Sequence, residues 1–93
     1  MEEELYIIVE GMVQGVGFRY FTERLARRLG VKGWVRNLAS REVEVLARLP
    51  AERKTEFLKE LRNGPPASRV SGLRIGAAPP SYDPPGQGFI IRA

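Results

Sequence analysis

Apolar positions along the 93-residue chain fall into short blocks that alternate between strand-like and helical spacing. Leu5 to Glu10 is short, β-branched and apolar, and reads as a strand. Its apolar residues point both ways (Leu5, Ile7 and Val9; Tyr6 and Ile8), which predicts a position inside a sheet. Phe18 to Leu29 switches to helical spacing. Phe18, Phe21, Thr22, Leu25 and Leu29 form one stripe, and Glu23, Arg24 and Arg27 fall opposite. Glu23 and Arg27 are a favourable i,i+4 pair, and Gly30 stands where a helix-ending glycine belongs.

Val31 to Asn37 and Val43 to Leu49 read as two strands of a hairpin joined by Leu38-Ala39-Ser40-Arg41. That turn lacks the glycine hairpins favour. Pro50 to Asn63 is a second predicted helix, with Phe57, Leu58 and Leu61 inward and Gly64, Pro65 and Pro66 ending it. Arg69 to Gly76 is a fourth strand. Leu73 and Ile75 share a face there while Val70 is out of phase, which predicts a bulge or a late start. Ala77 to Gly88 is Pro- and Gly-rich and reads as irregular surface, and Gly88 to Arg92 as a short closing strand. The order β-α-β-β-α-β plus a terminal strand predicts an α+β, ferredoxin-like sandwich. Two helices cover one face of a mostly antiparallel sheet, in one domain over residues 1–93.

Composition narrows the chemistry. There is no Cys and no His, and Asp83 is the sole aspartate. Thiol catalysis, disulfides, imidazole acid–base chemistry and the usual zinc ligands are excluded. The glutamates show no metal-ligand spacing, so no metal and no cofactor is expected. The net charge of +4 is mostly arginine and suits either a nucleic acid or a small anionic substrate. No apolar run approaches the ~20 residues of a membrane span. The acidic start, Met1-Glu2-Glu3-Glu4-Leu5, has the wrong charge for a secretory signal. The expectation is a cytoplasmic protein without membrane or nucleic-acid partners, and a monomer.

The candidate site is the stretch from Val9 to Arg19. It begins as a strand, becomes a glycine-punctuated loop (Gln14, Gly15, Val16, Gly17, Phe18) and ends in the first turn of the first helix. Such a loop aims several backbone N–H groups at one point, and the helix start adds free donors and partial positive charge. Both favour a phosphate. Arg19 adds a planar, permanently charged donor fork beside the apolar stripe. Gln14 either braces the loop or touches substrate. Gly17 serves either close approach of the backbone or a positive φ.

The same stretch resembles the first signature of the acylphosphatase family at Gly11, Val13, Gln14, Gly15, Val16, Phe18 and Arg19. Gly33-Trp34-Val35-Arg36-Asn37 with Val43 is similar to the second, and Phe57-Leu58 and Gly64-Pro65 to the second helix and its exit. The family usually has glycine where Arg41 and Leu49 stand, which leaves the hairpin turn and the exit of the third strand open. The resemblance implies hydrolysis of acyl phosphates to a carboxylate and inorganic phosphate. It implies that Gly15 to Phe18 and Arg19 bind the phosphate and that Asn37 positions the attacking water.

The residue types suit that chemistry. A carboxylate leaving group with a pKa near that of Glu, about 4.3, departs without a general acid. Phosphoryl transfer then needs mainly positioning and electrostatic stabilisation. Nothing obvious in the sequence recognises an acyl group, so broad specificity is expected. Two other readings stand beside this one. The first is a non-catalytic module holding phosphate or carbamoyl phosphate, which the absence of any extension to a larger carbamoyltransferase disfavours. The second is an RNA-binding domain, since Gly15 to Phe21 superficially resembles a base-stacking motif but precedes the first helix instead of lying on a strand after it. The sequence leaves open whether the Ala93 carboxylate, at the end of the closing strand, pairs with Arg19.

Overall fold

A computed structural model describes residues 1–80 and 82–93. The elements are β1 (Glu2–Met12), α1 (Phe18–Leu29), β2 (Lys32–Asn37), β3 (Val43–Pro50), a 3₁₀ turn (Ala51–Arg53), α2 (Lys54–Asn63), β4 (Arg69–Gly76) and β5 (Phe89–Ile91). They form one sheet in the order β4-β1-β3-β2-β5, antiparallel except for the parallel pair β2–β5. Both helices lie on one face. This is the expected ferredoxin-like α+β sandwich with its extra strand.

Alternation assigns the two faces. Leu5, Ile7 and Val9 of β1, Val35 of β2, and Val43, Val45, Ala47 and Leu49 of β3 meet Phe18, Leu25, Ala26 and Leu29 of α1 and Phe57 and Leu61 of α2 in one apolar core. α1 has the predicted bounds. Its end is fixed by Gly30 at φ 73°, with a bond from the Gly30 amide to the Ala26 carbonyl. Thr22 is buried on the stripe because its hydroxyl donates to the Phe18 carbonyl at 2.9 Å.

The boundaries of β1 and the start of α2 differ most from expectation. β1 starts earlier and ends later, because Glu2 to Glu4 pair with Pro50 to Arg48 and Gly11–Met12 pair with β4. Pairing there overrides the poor strand propensity of Glu and Gly. α2 starts later than Pro50, because Pro50 is still paired to Glu2 and a 3₁₀ turn intervenes. Leu49 is fully buried in the core, and β3 runs straight through it. The predicted bulge is present. Between Glu10↔Gly72 and Gly11↔Val70, Ser71 is the extra residue on β4. Leu73 packs against the core, whereas Ile75 on the same face is exposed. Arg41 holds the hairpin turn at φ 76°, the left-handed region where the family usually has glycine.

The face away from the helices carries a polar cluster that the sequence reading did not anticipate. Glu44 is fully buried there and accepts hydrogen bonds from the Tyr6 and Tyr82 hydroxyls and from Arg36 Nε. The Arg36 guanidinium lies 5.5 Å from the Trp34 ring centroid and 5.6 Å from that of Tyr82. Burial alone would raise the Glu44 carboxyl. The hydrogen bonds from Tyr6, Tyr82 and Arg36 outweigh it and hold the carboxyl below its ordinary range. Burial and the bond to Glu44 push the Tyr6 phenol far up. Trp34 is buried on this face, and its indole N–H donates to the Asp83 carbonyl at 3.4 Å. The described part of the irregular segment Ala77–Gly88 therefore covers the back of the sheet; Ser81 lies outside the described residues.

Candidate active site

The loop from Val13 to Gly17 links β1 to α1. Val13 and Phe18 are buried and Val16 packs against the core, so apolar side chains pin the loop from below. Gly15 has φ 74° and Gly17 φ 80°, while every described non-glycine residue except Arg41 has negative φ. The sign of φ thus alternates from Gly15 to Phe18, a geometry that turns successive amides toward one concavity. A Cβ at Gly15 or Gly17 would meet no atom within 4 Å, so within the protein itself these positions need glycine for φ rather than for space. Among the described residues no acceptor takes the amide hydrogens of Gly15, Val16, Gly17, Phe18 or Arg19. The start of α1 has no side-chain cap and no acidic residue in its first turn. Its donors and its positive dipole end are left open.

Arg19 is half-buried at this helix start, and among the described residues it has no hydrogen-bond or ion-pair partner. Asn37 ends β2 on the same face as Val35, the helix side, whereas Arg36 points to the back. Its Oδ1 is buried and unpartnered among the described residues. Arg19, Asn37, Gly15, Gly17, Phe18, Val13, Tyr20 and Ile91 line one cleft of about 300 Å³. The residues singled out in sequence are brought together, with two qualifications. Val16 is not among the residues lining the cleft, and its side chain packs against the core. Gln14 braces: its Nε2 donates to the carbonyls of Leu38 (2.8 Å) and Glu42 (2.9 Å), tying the loop to the hairpin turn directly after Asn37.

The Ala93 carboxylate does not pair with Arg19. Ala93 is exposed, and its carboxylate is not within ion-pair distance of Arg19. Ile91 reaches the cleft instead, because β5 pairs in parallel with β2 at Val35↔Ile91. Sequence reasoning missed Ile91, since a three-residue strand after a long irregular segment carries no periodicity that fixes its partner. It also missed Tyr20, which is 68% exposed at the mouth. Phe18 is buried beneath the loop and Phe21 packs against the core. Among the described residues no three His, Cys, Asp or Glu side chains are grouped to hold a metal, and no helix is long and apolar enough to cross a membrane.

An apolar-pinned amide loop, an open helix start and an arginine without a partner among the described residues share this cleft. Comparison with known proteins gives the chain its class. The acylphosphatase family model matches residues 5–91. An acylphosphatase of Syntrophotalea carbinolica is 52% identical over 67 residues, covering 72% of this chain and 73% of that protein. One from Archaeoglobus fulgidus is 46% identical over 74 residues, covering 80% and 83%. The crystal structure of the acylphosphatase from Bacillus subtilis superposes over the full length of both chains with a TM-score of 0.84 at 34% identity. The chain belongs to the acylphosphatase family, enzymes that hydrolyse acyl phosphates.

Proposed function

We propose that the cleft between the β1–α1 loop and the end of β2 is where acyl phosphate is hydrolysed, without metal or cofactor. The amides of Gly15 to Phe18 and the Arg19 guanidinium hold the phosphate oxygens. They stabilise the charge spread over those oxygens in a loose transition state. The Asn37 side chain orients a water for in-line attack on phosphorus. The P–O bond to the acyl oxygen breaks, the carboxylate leaves unprotonated, and a phosphate oxygen takes the water's proton. Gln14 keeps the loop in register with the strand end carrying Asn37.

One observation carries this reading. A buried amide oxygen without a partner is costly, on the order of 1–3 kcal/mol, and the one at Asn37 sits in the same cleft as an arginine that also has none among the described residues. Two such unsatisfied groups facing one small space are what a water and a phosphate would complete.

We further infer that residues 1–93 work as one domain, as a cytoplasmic monomer acting on a small molecule, with no nucleic-acid or membrane partner. Sedimentation at the mass of a single chain checks the oligomeric part.

The test is loss of benzoyl phosphate in the presence of EDTA, with inorganic phosphate added as a competitor. Metal-independent turnover, competitively inhibited by phosphate, is expected. Phosphate binding without turnover would favour the binding-module reading. Turnover abolished by EDTA would contradict the mechanism.

A further inference from the structure

A second groove, of about 480 Å³, adjoins the cleft along the exposed side of α1. Gly17, Tyr20, Phe21, Arg24, Leu25 and Arg28 line it, and Gly17 and Tyr20 belong to both spaces. Its floor is apolar, with buried Leu25 and half-buried Phe21. Its far end is cationic. Arg27 pairs with Glu23 and Arg28 with Glu56, but among the described residues no carboxylate lies within ion-pair distance of Arg24. The wall is thus a tyrosine ring, an apolar floor and an uncommitted guanidinium.

We propose that this groove is the acyl subsite, and that it selects acyl phosphates whose acyl group carries a second anionic group. The inference rests on the phosphate and water placements proposed above. In-line displacement puts the leaving oxygen opposite the attacking water. Asn37 lines the cleft and not the groove, so the acyl group departs on the side away from Asn37, where the cleft opens past Gly17 and Tyr20.

Arg24 is seven residues beyond Gly17 in the chain, about 10 Å along the helix at ~1.5 Å per residue. Helical side chains tilt toward the N-terminus, which brings its guanidinium back toward Tyr20 and the cleft. That reach suits a short acyl chain ending in a carboxylate or phosphate. Arg24 supplies bidentate donors to such a group, and the Tyr20 ring covers the carbon chain. Arg28, engaged by Glu56 at 3.5 Å, adds a weaker field behind it.

The experiment compares kcat/KM for acetyl phosphate and succinyl phosphate in wild type, Arg24→Gln and Arg24→Glu. Wild type is expected to prefer succinyl phosphate. Arg24→Gln should cut that preference about 3- to 10-fold while acetyl phosphate turnover stays within twofold, as expected for one exposed charge-assisted contact. Arg24→Glu should reverse the preference, and added salt should weaken both the wild-type preference and its reversal while leaving Arg24→Gln little changed. An unchanged succinyl-to-acetyl ratio in both variants overturns the subsite, and so does an equal loss on both substrates. If wild type turns over neither substrate, the catalytic reading itself has failed, an outcome distinct from a lost preference.

Discussion

Arg36 and Asn37 are neighbours in the chain and opposites in the structure. Arg36 turns to the back of the sheet, where its guanidinium bonds Glu44 and lies against Trp34 and Tyr82. Asn37 turns to the helix side, where its buried oxygen finds no partner among the described residues. The same contrast separates Arg36 from Arg19. On the back of the sheet a buried charge is ringed by donors, and the cluster holds a long irregular segment in place. At the cleft, amides, an amide oxygen and a guanidinium have no partner among the described residues. Polar groups that satisfy one another contribute to folding, and polar groups that are positioned yet unsatisfied await a ligand. The contrast predicts that mutations on the two faces separate activity from stability.

The largest effect belongs to the cleft. Arg19→Ala should lower kcat/KM on benzoyl phosphate roughly 10²–10³-fold or more, the usual loss for a transition-state donor. Its melting temperature should stay within a few degrees of wild type, because Arg19 has no partner to lose among the described residues. A fall in both together would erase the distinction between the faces.

Glu44→Gln should do the reverse. Breaking a buried ion pair costs about 3–5 kcal/mol, and chemical denaturation should show a loss of that order. kcat of the folded fraction should change little. The pH dependence sharpens the assignment. The folded carboxyl titrates below its ordinary range, so its contribution is full above the unfolded pKa of about 4.3 and is lost as pH falls through the lower folded value. The stability gap between wild type and Glu44→Gln should therefore be constant near neutrality and narrow below about pH 4. A gap that persists into strong acid would mean the charge is not what stabilises the cluster.

The smallest effect lies in the hairpin turn. Arg41 at φ 76° carries the strain of a left-handed side chain. Arg41→Gly relieves it, and the added freedom of the unfolded chain offsets part of the gain. A net stabilisation of about 0.5 kcal/mol is expected, read from urea titration, with unaltered turnover.

How much of this the sequence carried follows from where the determining contacts lie. The helix side was legible. The stripe from Phe18 to Leu29 and the alternation from Val43 to Leu49 are local patterns, and the loop's glycines and Arg19, on which the proposed anion site rests, stand in one unbroken stretch. Asn37 was legible only through the family resemblance, because an asparagine at a strand end ordinarily reads as a turn residue. The back face was not legible. Tyr6, Arg36, Glu44 and Tyr82 come from four separate regions, and a glutamate alternating with Val43 and Val45 carries no local sign of burial. Burial of that strand's second face depends on where an irregular segment lies, which no periodicity encodes. The groove beside α1 was hidden for a related reason. Tyr20 and Arg24 lie off the apolar stripe, and only the position of the cleft gives that surface a use.

The most direct test of the account is a paired measurement on Asn37→Ala, turnover of benzoyl phosphate and thermal stability in the same preparation, with the inhibition constant of inorganic phosphate alongside. A residue left unsatisfied in order to hold the attacking water should lose about 10²-fold in kcat. It should leave phosphate affinity unchanged and melt at or above the wild-type temperature, since a buried oxygen without a partner has been removed. A variant that keeps its turnover and melts well below wild type would contradict the account, making Asn37 part of the scaffold rather than of the chemistry.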